Sequence, residues 1–240
     1  MTIRISMWSG PRNISTTMMR AFENRPDTTV IDEPFYGAYL ARTGAEHPLR
    51  VATLAEWPKD FRSALDWMSD EGGASIRFFK HIAYHLPADA DLSFLREHRN
   101  FILIRDPRLM VASFAKKHDD IAPIVESYGV CRRIAKSCER DGLPCPAVDA
   151  ADILADPPGM MRALCAALDI PFTERMLSWP PGPRPTDGPW APHWYDAVNA
   201  STGFRKAAAP EPTLDPELER IAALASGDYD FFRQRRLRTG

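Results

Sequence analysis

Two short stretches carry residue types that bind anions. Ser9-Gly10-Pro11-Arg12-Asn13-Ile14-Ser15-Thr16-Thr17 follows an apolar start, and Arg105 through Ser113 follows Phe101-Ile102-Leu103-Ile104. In each, polar groups stand where a buried strand pattern gives way to a helical one. Backbone N–H groups at such a turn, aided by the partial positive charge of a helix N-terminus, hold phosphate-like anions. Arg12 adds a full charge to the first stretch, and Ser15, Thr16 and Thr17 add hydroxyl donors. In the second, Arg105 leaves the strand end and Ser113 sits about two helical turns further on, near enough to share one phosphate. Together the stretches predict a grip on the two phosphate-bearing ends of one nucleotide.

The elements that must position these groups are legible as alternating patterns. Ile3 to Trp8 alternates and ends at Gly10-Pro11, and Ser15 onward is helix-compatible, so the chain opens as strand, loop, helix. Thr28 to Ile31, Ser75 to Phe79 and Phe101 to Ile104 read as further strands, with a last core strand at Pro146-Ala147-Val148. Asp60 to Ser69, Asp91 to His98 and Pro107 to Lys117 read as helices, the last with proline in its first turn, where a missing N–H costs nothing. Helical patterns follow from Asp119 through Arg140, from Met160 to Leu168 and from Leu214 to Arg238. The alternation predicts an α/β fold of three layers: a mainly parallel central sheet flanked by helices, like that of P-loop nucleotide-binding domains. Residues 1–240 are expected to form one domain, with an irregular proline- and tryptophan-rich segment at 179–205 that covers the site.

Composition narrows the function. A chain of 240 residues buries a core without metal or disulfide staples. Its formal net charge of -2 gives no global field for polyanions, so phosphate binding must be local and no nucleic-acid partner is expected. Arg233 to Arg238 reads as a solvated, basic helix end. Cys131, Cys138, Cys145 and Cys165 form no CxxC pair and read as free thiols of a reducing compartment. No leader-like segment or run long enough to span a bilayer is seen, so a cytoplasmic location is expected. Starting from Gly10, the Walker A ending Gly-Lys-Ser/Thr is replaced by Ser15-Thr16-Thr17, which removes the lysine for the β- and γ-phosphates and the main reason to expect a metal ion.

The residues quoted above resemble the sulfotransferase family. Pro11 to Thr16 is similar to the family's 5′-phosphosulfate loop, and Arg105-Asp106-Pro107-Arg108-Leu109-Met110-Val111-Ala112-Ser113 to its 3′-phosphate motif. The resemblance covers most of the first half of the chain. It implies the donor 3′-phosphoadenosine 5′-phosphosulfate, a sulfuryl transfer to a hydroxyl or amine of a small acceptor, and no metal. It also implies nucleotide contacts from Arg12, Asn13, Ile14, Ser15, Thr16, Thr17, Arg105 and Ser113. Ile14 stands where the family commonly has glycine, and its branched side chain restricts the loop backbone.

The resemblance implies catalytic roles as well. Arg12 matches the basic residue that contacts the leaving oxygen, and Lys80, ending the third strand pattern, matches a lysine placed on the transferring group. For the base, Glu33 follows the second strand, where the tyrosylprotein branch carries a glutamate. His81 and His85 follow Lys80, where the cytosolic branch has a histidine within Lys-Thr-His-Leu-Pro; His85-Leu86-Pro87 copies the end of that context and Lys80-His81 its beginning. Arg205 and Lys206 resemble the Arg-Lys-Gly segment that closes over the 3′-phosphate. Trp190, His193, Trp194 and Tyr195, with aromatic bodies and polar tips, are candidates for the acceptor pocket. A P-loop kinase-like phosphotransferase and a non-catalytic nucleotide-binding protein of the same fold are the alternatives. Acceptor identity and oligomeric state are not written in the sequence.

Overall fold

A computed structural model of the chain describes residues 2–70, 72–117, 120–205 and 212–239. The first half runs β1 (Ile3–Ser9), α1 (Ser15–Glu23), β2 (Thr28–Asp32), α2 (Tyr36–Thr43), α3 (Arg50–Glu56), α4 (Phe61–Ser69), β3 (Ile76–Ile82), β4 (Arg99–Ile104) and α5 (Pro107–Phe114). The second runs α6 (Ala122–Arg140), β5 (Ala147–Asp149), α7 (Ala150–Ala155), α8 (Pro157–Ala167), two single-turn helices α9 (Ala191–Trp194) and α10 (Asp196–Asn199), and α11 (Pro216–Arg235). The five strands form one sheet in the order β2-β3-β1-β4-β5, every pair parallel.

Parallel strands need crossover helices on the faces of the sheet, and the side-chain period of two sends alternate residues to each face. Ile5, Met7, Phe78 and Phe101 pack on one face with Met18 and Phe22 of α1 and Leu164 of α8. Trp8, Phe79, Ile102 and Ile104 pack on the other with Met68 of α4, Val111 of α5, Ile134 of α6 and Phe232 of α11. Aspartates set several helix starts: Asp60, Asp106, Asp149, Asp156 and Asp215 each accept from a backbone N–H in the first turn that follows, each such cap contributing about 1 kcal/mol. At α5 the cap is followed at once by Pro107.

The departures from the sequence reading have local causes. β3 runs to Ile82, beyond the expected Phe79, because Lys80, His81 and Ile82 pair in register with Met7, Trp8 and Ser9 of β1. The Asp91 to His98 stretch forms a 3-10 turn at Ser93–Glu97 rather than an α-helix, after Asp91 accepts from the N–H and hydroxyl of Ser93. α5 stops at Phe114, short of Lys117. The helices α2, α3 and α7 have no counterpart in the sequence reading; each has eight residues or fewer, too short to declare a periodic stripe.

The carboxyl ends of β1, β2, β3 and β4 open on the same side of the sheet. Consecutive strands diverge around β1, which has β3 on one flank and β4 on the other. In open α/β sheets, ligands bind in the crevice outside such strand ends. The site lies there.

Candidate active site

The loop after β1 is held in place from below. Asn13, buried, donates from Nδ2 to the Leu103 carbonyl at 2.5 Å, tying the loop to β4. Arg12 and Ile14 adopt left-handed backbone, with φ of 60° and 49°. For a β-branched residue this region is an outlier that survives only where the surroundings enforce it. Ile14 is also the N-cap of α1 and offers no side-chain cap, so the first-turn N–H groups of that helix are available to an anion. Ser15, Thr16 and Thr17 line the same cavity, of about 450 Å³.

The second stretch meets the first across this cavity. Arg105 donates from Nη1 to the Arg12 carbonyl at 2.6 Å, and Arg12 donates from Nε to the Ser113 hydroxyl at 2.9 Å. Among the described residues neither guanidinium lies within ion-pair distance of a carboxylate. Burial lowers the pKa of both, and for Arg105 the neighbouring Arg12 charge lowers it further. Two facing cations taken from water without a counter-ion are costly. A bound anion would supply what they lack.

Deeper in the cavity, Lys80 Nζ reaches Asp32 Oδ1 at 2.8 Å, Glu33 Oε1 at 2.5 Å and the Tyr195 hydroxyl at 2.9 Å. Burial pulls the Lys80 pKa down, but the charges of Asp32 and Glu33 outweigh it, and the ammonium is held well above its ordinary range. Glu33 has φ of 44°. Its carboxyl is pushed up to about 7, by burial first and by the Asp32 charge, with Lys80 pulling the other way. Glu33 Oε2 lies 3.6 Å from His85 Nδ1. His85 is buried in a box of tyrosines, its ring centroid 4.5 Å from that of Tyr36, 4.8 Å from Tyr39 and 4.5 Å from Tyr84. Burial holds its pKa well below the usual 6.5, so the ring is neutral; neither nitrogen has a hydrogen-bond partner among the described residues.

The cavity wall opposite the sheet comes from the segment 179–205. Trp190, Trp194 and Tyr195 line it, and Trp190 also packs edge-on against Tyr36 and Trp57. The segment doubles back on itself, with a bridge between Ser178 and Gly203 and a bond from Gly182 N to Asn199 O. It is clamped to α1 by Arg20, whose guanidinium meets Asp187 at 2.7 Å and Asn199 at 3.3 Å. At Gly188 an added Cβ would come within 2.2 Å of the Trp190 ring. Gly188→Ala should therefore overpack this wall and destabilise the fold by about 1–3 kcal/mol, read as a lower melting temperature.

A family model described as Sulfotransferase domain matches residues 3–235. The chain belongs to the sulfotransferase domain family. Two curated relatives from Arabidopsis thaliana are named branched-chain-amino-acid aminotransferase-like proteins 2 and 1. Each is 36% identical, over 207 and 201 residues, and each match covers 83% of this chain. The chain spans only 36% of the length of either. Among solved structures, a sulfotransferase from Alicyclobacillus acidocaldarius superposes with a TM-score of 0.59 at 11% identity, covering 99% of this chain and 98% of its own. The sulfotransferase domain of the Synechococcus PCC 7002 olefin synthase gives 0.57 at 15% identity, covering 94% and 95%. At these identities the structural likeness concerns the fold, which is the three-layer α/β architecture expected from the sequence.

In this sulfotransferase-family fold, the cavity gathers Arg12, Asn13, Ile14, Ser15, Thr16, Thr17, Glu33, Lys80, His85, Arg105, Ser113 and Arg205. His81 is the exception among the base candidates. It follows Lys80 within a strand, so its side chain points to the opposite face, where it stacks on Trp8 at 3.9 Å and lies 3.2 Å from the Ser6 hydroxyl. His193 also stays out of the cavity; its ring packs on Trp194 and its carbonyl accepts from Lys117. Arg205 reaches the rim and donates to Ala200 O, while Lys206 lies outside the described residues. Asp32, Tyr36, His47 and Tyr84 were absent from the sequence reading. Asp32 was readable only as the residue before Glu33 at a strand end, and the other three lie on α2, in its following loop and in the turn after β3. No group of three or more His, Cys, Asp or Glu among the described residues could hold a metal ion, and none of their helices is long and apolar enough to cross a membrane.

Proposed function

We propose that the chain transfers a sulfuryl group from 3′-phosphoadenosine 5′-phosphosulfate to a hydroxyl or amine of a small acceptor. The observation that carries this reading is the convergence of Arg12 and Arg105, two half-buried guanidinium groups without an ion-pair partner among the described residues, on Ser113 and the uncapped start of α1. That arrangement suits a ligand with anionic groups at both ends. The donor, when bound, supplies an activated sulfuryl group on a phosphate oxygen that can depart.

The residues divide the work by position. Arg105 and Ser113 would take the 3′-phosphate, while the loop amides and the hydroxyls of Ser15, Thr16 and Thr17 would take the 5′-phosphate. Arg12, anchored in the loop, would exchange its bond to Ser113 for a contact with the leaving oxygen, where stabilisation counts most in the transition state. Lys80, kept as an ammonium, would face the transferring group. Glu33 would accept the proton as the acceptor oxygen or nitrogen bonds to sulfur and the bond from sulfur to the phosphate oxygen breaks. A carboxyl with a pKa near the operating pH is suited to that task. Trp190, Trp194, Tyr36 and Tyr84 would enclose the acceptor and exclude water.

Thermal unfolding separates this reading from its rivals. Adenosine 3′,5′-bisphosphate without magnesium, at about 100 times its dissociation constant, should stabilise the protein by about 2.7 kcal/mol, a rise of about 5–10 °C. Stabilisation by ATP with magnesium alone would overturn the reading. Labelled sulfate passing from the donor to a panel of phenols, alcohols and amines then tests transfer itself, and nucleotide binding without transfer would leave a binding protein instead.

A further inference from the structure

Asp32 bonds both Lys80 and the wall segment of this site without lining the cavity. It ends β2 and is fully buried. Its Oδ1 accepts from Lys80 Nζ at 2.8 Å, and its Oδ2 from the Tyr195 hydroxyl at 2.6 Å and from Gly188 N at 3.2 Å. Its backbone carbonyl accepts from Trp57 Nε1 at 3.0 Å. Two of these partners, Gly188 and Tyr195, belong to the segment that walls the acceptor side.

The donors of Lys80 are fully used. An ammonium has three N–H groups and no acceptor, and here they go to Asp32, Glu33 and Tyr195. The Tyr195 hydroxyl is saturated as well: it accepts from Lys80 and from Trp190 Nε1 and donates to Asp32. A lysine bound this way can offer a donor to an incoming group only by releasing a partner. Asp32 is fully buried and does not line the cavity; Tyr195 does line it, but its hydroxyl is taken by Asp32, Lys80 and Trp190, whereas the Glu33 carboxyl faces the cavity with Lys80 as its one hydrogen-bond donor among the described residues. The Glu33 contact is the one that can be exchanged.

We propose that Asp32 is a positioning residue for sulfuryl transfer: with Tyr195 it holds two of the three Lys80 donors and latches the 187–195 segment, so that only the donor facing Glu33 is freed. As Glu33 takes the acceptor's proton it loses its charge, its hold on Lys80 weakens, and the released N–H turns to the transferring group. Asp32 meanwhile keeps the ammonium from following. This rests on the sulfotransfer reading. The groups that face Glu33 are Asp32 from its own strand end, Lys80 from β3, His85 and Tyr84 from the turn after β3, Tyr36 from α2 and Tyr195 from the wall segment.

The test compares Asp32→Asn and Tyr195→Phe with the unsubstituted protein. Three quantities are read: calorimetric affinity for adenosine 3′,5′-bisphosphate, the rate at which labelled sulfate leaves the donor for water or for phenol, and the Glu33 midpoint from carboxyl ¹³C resonances. Asp32→Asn should leave bisphosphate affinity within about threefold while slowing transfer about 100-fold, the scale expected when a reacting group is misplaced. The Glu33 midpoint should fall from about 7: burial, the main cause of its elevation, remains, but the Asp32 charge that adds to it is gone. Tyr195→Phe should slow transfer about tenfold and raise amide hydrogen exchange across residues 187–195. An unchanged rate in folded Asp32→Asn, or a loss of bisphosphate affinity as large as the loss of rate, overturns the proposal. Should Asp32→Asn not fold, unchanged rate and exchange in Tyr195→Phe overturn it equally. Wild-type protein that binds bisphosphate yet releases no sulfate refutes the transfer reading; the Glu33 midpoint and the exchange rates still decide whether Asp32 is the latch.

Discussion

Replacing Arg105 with alanine is expected to weaken adenosine 3′,5′-bisphosphate binding about 100-fold, or about 2.7 kcal/mol, while the melting temperature of the ligand-free protein moves by no more than about 3 °C. The two halves of that result have one cause. Arg105 stands beside the Arg12 charge without an ion pair of its own among the described residues, so in the absence of ligand its removal gives up one bond to the Arg12 carbonyl and relieves a like-charge contact. With ligand present, a charge-assisted contact to phosphate is lost and nothing replaces it. Isothermal calorimetry and a thermal melt on the same preparation measure both. Unchanged affinity would remove Arg105 from the nucleotide site.

Glu33→Gln should lower kcat by about 10²–10⁴-fold with a much smaller change in donor affinity. A base must be deprotonated to act, and the Glu33 carboxyl is pushed up to about 7. The wild-type rate should accordingly be low in acid and rise with pH through about 7. His85 predicts a different curve, because burial holds it neutral well below the usual 6.5. A rate already flat from about pH 6 to about pH 8, with Glu33→Gln near wild type, would pass the role to His85.

The fold was readable because its signals are local. Apolar runs that end in Gly-Pro, Asp-Glu-Pro and Asp-Pro announce strands that stop at turns, and the spacing between them fits crossover helices. The two stretches that meet at the cavity were readable for the same reason, since each lies within a dozen residues around one strand end. The base was harder. Lys80 and His81 are adjacent in sequence, and only the extension of β3 to Ile82 shows that they face opposite sides of the sheet. Asp32 escaped notice because its importance comes from Gly188 and Tyr195, more than 150 residues away. No local pattern encodes such a contact. The cavity wall from the 179–205 segment is similar: Trp190 and Tyr195 carry chemistry suited to a pocket, but so does His193, and the backbone path alone decides which of them turn inward.

The bond from Arg105 to the Arg12 carbonyl has a consequence for how such a site can change over time. One arginine serves as scaffold for the loop that presents the other, so the two cannot drift independently: a substitution at Arg105 also alters the surface on which any replacement at Arg12 would be tried. If the pocket holds the anionic donor proposed above, adapting it to a differently charged molecule would require coordinated replacement on both segments, because a single substitution disturbs both arginines at once.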